Sequence, residues 1–201
     1  MPPLLRSVIL SVLFGVLLGV SAVHFSEKPK VVTKEDLIRG YYETENAVIV
    51  SPHSLRKRMD KGDTRYTLVD LRSAEEYRRE HIVGAVNIPA YQDPDTSAYD
   101  DVERILTAFQ TLPDDQEIIV YCYSRPCMTG RKIGLMLAEN GVFVKHLGIG
   151  WNEWRHDWTS WNHEHEWAVT RPEDYVRTGD EPGVPISRGA SEAGCTGPFG
   201  C

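Results

Sequence analysis

Positive charge is in short supply in this chain. Its 22 Lys and Arg residues face 29 Asp and Glu residues, for a formal net charge of -7. A phosphate backbone needs a basic surface, so no nucleic-acid partner is expected. Cysteine is scarce as well, with four in 201 residues. So sparse a set cannot hold the chain together as a disulfide scaffold, and a hydrophobic core must do it instead. The 41% hydrophobic content is enough for one such core. Zinc-type spacing is missing: His156 stands apart, and "HEH" (His163 to His165) puts two imidazoles at i and i+2. That segment reads as solvated and polar, and no metal is expected. There is no internal repeat and no long low-complexity run.

Long apolar runs are also missing, with one exception. After Arg6, the stretch from Ser7 to Val23 carries no charge. It sits at the short limit of the roughly 20 apolar residues that a spanning helix needs. Residues 1–23 therefore read as a cleaved signal peptide or a retained membrane anchor, with small residues at Val20-Ser21-Ala22 for a peptidase. Either way the body is expected outside the cytoplasm, on the periplasmic or extracytoplasmic side. In that setting thiols tend to pair unless they are catalytic. Cys122, Cys127, Cys195 and Cys201 allow three full pairings, and spacing does not choose among them. Cys195 and Cys201, in "CTGPFGC", are placed for a small tail disulfide or for a dithiol on an arm.

Residues 24–46 read as a spacer with a short helix capped by Thr33. From there strands and helices alternate. "AVIVS", "YTLVDLR", "GAVNIP", "EIIVYC" and "VFVKHL" are strands. Between them, "PHSLRKRMDKG", "SAEEYRREH", "DDVERILTAFQTL" and "GRKIGLMLAENG" are helices, the second opened by the capping box Ser73–Glu76. The alternation predicts an α/β domain over residues 47–168, with a mostly parallel sheet flanked by helices on both faces. Trp151, Trp154, Trp158 and Trp161 recur at helical spacing and read as core packing. Residues 169–201, rich in Gly, Pro, Ser and charge, read as a flexible tail.

The chemistry concentrates in "EIIVYCYSRPCMTGRK". Cys122 closes a buried strand, and ligands of parallel sheets bind beyond the carboxyl ends of strands. The loop behind it runs into a helix N-terminus near Thr129 and Gly130, whose amides lack helical partners. Those amides, with Arg125, Arg131 and Lys132, are expected to favour a Cys122 thiolate. Tyr123, Ser124, Arg125, Cys127, Met128, Thr129, Gly130 and Arg131 are then the candidates for holding an anionic substrate. Cys127 starts too close to the helix for a bowl to be expected around it.

The segment "LVDLRSAEEYRREHIVGAVNIP" resembles the N-terminal signature of the rhodanese family, through Asp70, Arg72, Glu76, Tyr77, His81, Ile82, Gly84, Ala85, Asn87 and Pro89. "IIVYC" is similar to that family's active-site strand, and "LGIGWNEW" to its closing Gly-rich turn. The resemblance covers roughly Val48 to Trp158 and implies a rhodanese-like fold. It implies a sulfurtransferase, in which Cys122 takes a sulfane sulfur from a small anionic donor such as thiosulfate. The resulting persulfide passes its sulfur to a thiol or cyanide, with no cofactor. The loop "CYSRPCMT" is longer than the family's by about two residues, counted back from Gly141. The related phosphatases and arsenate reductases place an arginine where Met128 stands, so their chemistry is not expected. Two other readings follow from the same residues: a non-catalytic rhodanese-like binding module, and a thiol–disulfide redox protein using Cys122 and Cys127. Cys127 is placed to attack a persulfide on Cys122, or is a plain loop residue.

Overall fold

The computed structural model describes residue 2, residues 11–12 and residues 31–186. The chain divides into two compact units, Met1–Glu43 and Thr44–Cys201. The expected leader, apart from three residues, and the Cys195–Cys201 pair lie outside the described residues. Among the described residues no helix is long and apolar enough to cross a membrane.

Helix α1 (Lys34–Val48) starts at the predicted cap, where Thr33 Oγ1 accepts a hydrogen bond from the Asp36 amide at 3.1 Å. It runs further than expected, because neither Gly nor Pro interrupts it between Gly40 and Pro52. Strand β1 (Ile49–Val50) is correspondingly short. Helix α2 (Pro52–Asp60) begins with Pro52 in its first turn and with Ser51 Oγ accepting from the Ser54 amide at 3.3 Å. There follow β2 (Tyr66–Asp70), α3 (Ala74–Arg79), β3 (His81–Ile82), β4 (Ala85–Asn87), and a hairpin of β5 (Tyr91–Asp93) and β6 (Thr96–Ser97). No strand is expected from the sequence in that stretch. The chain continues through α4 (Val102–Gln110), β7 (Glu117–Tyr121), α5 (Thr129–Glu139), β8 (Lys145–Leu147), α6 (Trp151–His156), α7 (Trp158–Trp161) and β9 (Val176–Arg177).

The main sheet has the order β1-β8-β7-β2-β4 and is parallel throughout. This is the expected α/β architecture, with β7 at its centre. Successive side chains on a strand face opposite ways, and the two core clusters follow that rule. Leu68, Ile119 and Tyr121 pack with Leu55 and Met59 of α2 and with Trp151, Trp154 and Trp158. Val69, Val120 and Cys122 pack with Ile105 and Phe109 of α4 and Ile133 and Leu137 of α5. Parity alone therefore sends Cys122 to the α4/α5 side and Tyr121 to the other. The Trp stripe is core, as read, although Asp157 breaks its helix in two.

The expected flexible tail is corrected over its first part. Tyr175 is buried, Trp154 Nε1 donates to its carbonyl at 3.3 Å, and its hydroxyl donates to Asp60 Oδ1 at 2.6 Å. Strand β9 pairs antiparallel with β3, and the Val83 amide donates to the Tyr175 carbonyl at 3.1 Å. One large aromatic among polar residues anchors the segment, and composition averaged over the tail hides it.

Candidate functional site

Beyond the end of β7 the chain turns sharply. The Cys127 amide donates to the Ser124 carbonyl at 3.0 Å, with Arg125 and Pro126 between them. Two carbonyls of this loop are tied to the next element: Trp151 N donates to Cys122 O, and Asn152 N to Tyr123 O, both at 2.8 Å. Gly150 lets α6 come this close, since a Cβ there would overlap the Ser124 backbone. The Glu153 carboxylate receives the Gly150 amide at 2.9 Å and the Arg125 amide at 3.1 Å. An acidic side chain thus already sits on one of the loop amides.

The two loop thiols lie together, with Cys127 Sγ 3.4 Å from Cys122 Sγ, and both are free. Their surroundings reverse the expectation. Cys122 is 2% exposed and belongs to the apolar cluster of Val69, Leu71 and Ile133. Burial, reinforced by Cys127, pushes its thiol well above the ordinary range, which works against the thiolate expected there. Cys127 is half-buried. Burial works to raise it too, but the Thr129 hydroxyl, the Thr129 and Tyr123 amides and the Cys122 thiol outweigh that and hold it below the usual thiol value. A bowl of donors does form, and it forms around Cys127. The extra loop residues let the turn at Arg125–Pro126 fold Cys127 back over the strand end.

The cations play a smaller part than expected. Arg131 Nη1 donates to the Arg125 and Cys127 carbonyls at 3.0 and 3.1 Å, which staples the turn. Lys132 lies over the Tyr99 ring, 5.4 Å from its centroid. Arg125 and Met128 are exposed, whereas Thr129 and Gly130 are buried at the start of α5. Gly130 packs against His146, leaving no room for a side chain. Tyr123 packs against the cluster that holds Cys122, and its hydroxyl donates to Glu76 Oε2 at 2.5 Å. It walls a cleft of about 320 Å³ shared with Arg72, Arg79, Trp151 and His156.

Sequence reasoning missed Tyr91 and Tyr99. The Tyr91 and Tyr99 hydroxyls lie 2.7 and 2.6 Å from Thr129 Oγ1, Tyr99 donates to Tyr91 at 2.9 Å, and Thr129 Oγ1 is 3.3 Å from Cys127 Sγ. Nothing in their spacing announces this; the hairpin that brings them in was itself unread. Glu153 was missed likewise.

The neighbouring strand end is tied up in its own polar contacts. Asp70 Oδ2 accepts from Arg72 Nη2 at 2.7 Å and from the Tyr121 hydroxyl at 2.6 Å. Burial opposes the Arg72 charge, and Asp70 more than restores it. His81 Nδ1 lies 2.8 Å from the Tyr77 carbonyl, its ring stacked on Tyr77. His163, Glu164 and His165 are exposed, as read, but Glu166 beside them is only 3% exposed. Burial would raise its carboxyl, but Lys57, Arg56 and His53 hold it down at about 2. His53, His163 and Glu166 offer ligand atoms within 4.8 Å of one another. A metal fits that set poorly, because Lys57 and Arg56 already occupy the carboxylate at 2.5 and 2.7 Å.

Comparison with known proteins agrees with this architecture. The rhodanese-like domain matches residues 51–157, and the chain belongs to that family. It is 34% identical over 101 residues to the HTH-type transcriptional regulator Rv0324 of Mycobacterium tuberculosis, covering 50% of this chain and 38% of that protein. The chain thus spans well under half of that relative's length. Among solved structures, the BH2092 protein of Bacillus halodurans is 26% identical, with a TM-score of 0.48, over 62% of this chain and 82% of the other. A rhodanese with anions from E. coli is 27% identical, with a TM-score of 0.31, over 42% of this chain and 86% of the other.

Proposed function

We propose that this chain is a rhodanese-type sulfurtransferase that carries a sulfane sulfur as a cysteine persulfide in the loop between β7 and α5. The observation that carries the reading is the thiol pair itself: two free sulfurs 3.4 Å apart where a central parallel strand meets a helix N-terminus. The strand-end position that the family resemblance points to is Cys122, and Cys127 adds a more accessible thiol beside it. The pair, rather than Cys122 alone, is the carrier. Covalent capture splits the transfer into two easier steps and asks for no cofactor. The donor is a small anion such as thiosulfate, with the exposed Arg125 as its cation, and the acceptor is a thiol or cyanide. The apolar run 7–23 exports or anchors the domain, so that it works on the extracytoplasmic side; mass analysis of the mature N-terminus tests this.

The decisive assay is thiocyanate formation from thiosulfate and cyanide by the full chain, beside the double variant Cys122→Ser/Cys127→Ser. Parent activity that vanishes in the double variant is the expected result. A parent that forms no thiocyanate and takes up no sulfur overturns the proposal in favour of a non-catalytic module. A second reading, a thiol–disulfide carrier, is favoured by the same 3.4 Å separation. It predicts reversible dithiol oxidation with no persulfide at any stage.

A further inference from the structure

From the geometry of the loop we infer that the two thiols divide the work. Cys127 receives the sulfane sulfur, and Cys122 then discharges it as sulfide by closing a Cys122–Cys127 disulfide. This rests on the sulfurtransferase reading above and deepens it, turning a sulfur carrier into a dithiol that reduces sulfane sulfur.

Position separates the roles first. Cys127 is half-buried and lies between the exposed residues Pro126 and Met128, where a donor in solution reaches it. Cys122 lies at the foot of the loop among Val69, Leu71 and Ile133. A donor must pass the turn to touch it, yet Cys127 Sγ is already in van der Waals contact with it at 3.4 Å.

Hydrogen bonding separates them next. Tyr99 donates to Tyr91 and Tyr91 can donate to Thr129; the Thr129 hydroxyl, which accepts from the neutral Cys127 thiol, turns its own proton to that sulfur once it is ionised, through steps of 2.9, 2.7 and 3.3 Å. Aligned hydroxyls polarise one another, which strengthens the last bond when its acceptor is an anion. Burial, with Tyr99 and Cys122 adding to it against the Thr129 hydrogen bond, raises Tyr91, so it remains a donor. The other groups facing Cys127 are the Thr129 and Tyr123 amides and the Cys122 thiol. Arg131 reaches the Cys127 carbonyl rather than its sulfur. Burial works against ionisation of Cys122.

The chemistry then balances. The Cys127 thiolate attacks the sulfane sulfur of thiosulfate, forming Cys127–S–S⁻ and expelling sulfite. The Cys122 thiol next attacks Cys127 Sγ. The new Sγ–Sγ bond forms, the bond to the sulfane sulfur breaks, and the Cys122 proton leaves with that sulfur as HS⁻. The dithiol has lost two electrons and the sulfane sulfur has gained them. Two equivalents of a small external thiol restore the dithiol by exchange, leaving as their own disulfide. A cyanide or thiol acceptor that arrives before Cys122 attacks takes the sulfur instead, so the same loop serves both outcomes.

The test uses the reduced full chain, thiosulfate as donor, an acid quench, intact mass and a sulfide assay. The parent is expected to release one equivalent of sulfide per chain and to lose two hydrogens. Cys122→Ala and Cys122→Ser are expected to gain one sulfur atom, located on Cys127, to release no sulfide, and still to yield thiocyanate with cyanide. Cys127→Ser is expected to gain none. Thr129→Val should slow alkylation of Cys127 about tenfold at neutral pH, the mark of a pKa raised by about one unit, with Thr129→Ser restoring the rate. Sulfur gained on Cys122 in Cys127→Ser at the parent's rate overturns the division of labour while leaving sulfur transfer standing. So does a parent that holds its persulfide and releases no sulfide. A parent that takes up no sulfur at all overturns the transfer reading, and this inference with it.

Discussion

Two adjacent strands of this sheet end in opposite ways. Strand β2 ends in a closed charged knot: Asp70 is gripped by Arg72, which also donates to the Glu80 carbonyl at 2.8 Å and stacks over Trp151 at 4.3 Å. Strand β7, one register step away, ends in two sulfurs that make only weak, long contacts. The strong polar groups of the first end are all engaged, and Asp70 also reaches the second. Tyr121 joins them, since its hydroxyl donates to Asp70 while its carbonyl receives the Leu71 amide at 3.0 Å. A reactive loop needs free nucleophiles, so its positioning has to come from a neighbour that has none to spare.

The largest expected effect comes from breaking the closed end. Asp70→Asn leaves the buried Arg72 guanidinium without its charge partner and should cost about 3–5 kcal/mol, read as a fall in the denaturation midpoint at unchanged slope. If the loop depends on this knot, the persulfide yield should fall with it even where the variant remains folded. Full stability in Asp70→Asn would dissolve the distinction between the two ends.

Gly150→Ala attacks the reactive end through its packing. The added methyl meets the Ser124 backbone, and α6 must back away. An overpacking cost of about 1–3 kcal/mol is expected. The loop should loosen with it, since Trp151 and Asn152 lose their hold on the Cys122 and Tyr123 carbonyls. Faster alkylation of Cys122 is the measurement that shows the loosening; an unchanged rate would mean that the Ser124–Cys127 turn holds the loop unaided.

Tyr121→Phe cuts the bridge between the two ends. The Ile82 amide, which donates to that hydroxyl at 3.1 Å, is then buried without a partner. A cost of about 1–3 kcal/mol follows, from loss of one satisfied donor. Asp70 keeps Arg72, so the knot should survive and persulfide formation should persist, which separates the bridge from the knot it joins.

Much of this was legible beforehand, for identifiable reasons. Parallel strands buried on both faces leave long runs of β-branched residues, so β2 and β7 stood out. Caps are local chemistry, so Thr33, Ser51 and Ser73 marked their helices correctly. The motif around Asp70, Arg72 and His81 was legible because its partners lie within a dozen residues of one another. The roles of the two thiols were not. Cys122 buries its sulfur because of strand parity and because α4 and α5 close over that face, a long-range fact. Cys127 meets Thr129 of α5, and Thr129 is backed by Tyr91 of β5 and by Tyr99 in the turn after β6, both far from the loop in sequence. Local reading had no way to know that Glu153, from beyond β8, would take the Arg125 amide of the loop.

The smallest effect tests that long-range contribution by itself. Tyr99 touches neither sulfur; it acts only by donating into the Tyr91–Thr129 pair. Tyr99→Phe keeps the ring under Lys132 and against Tyr91, 5.6 Å between centroids, so packing should change little. What disappears is the outermost hydroxyl of the chain. Tyr91 can still donate to Thr129, and Thr129 to the thiolate, but the last bond loses the polarisation supplied from behind. Cooperative strengthening of roughly 10–30% per bond amounts to a few tenths of a kcal/mol here. The alkylation rate of Cys127 at neutral pH should therefore drop by about a factor of two, with stability nearly unchanged. Thr129→Val, which removes the donor itself, should drop it several times further. Equal effects from the two variants would mean that the hydroxyls act as a single packed unit and not as a directed chain. No effect from Tyr99→Phe would confine the stabilisation of Cys127 to Thr129 and the loop amides, and the reactive strand end would then owe nothing to the hairpin.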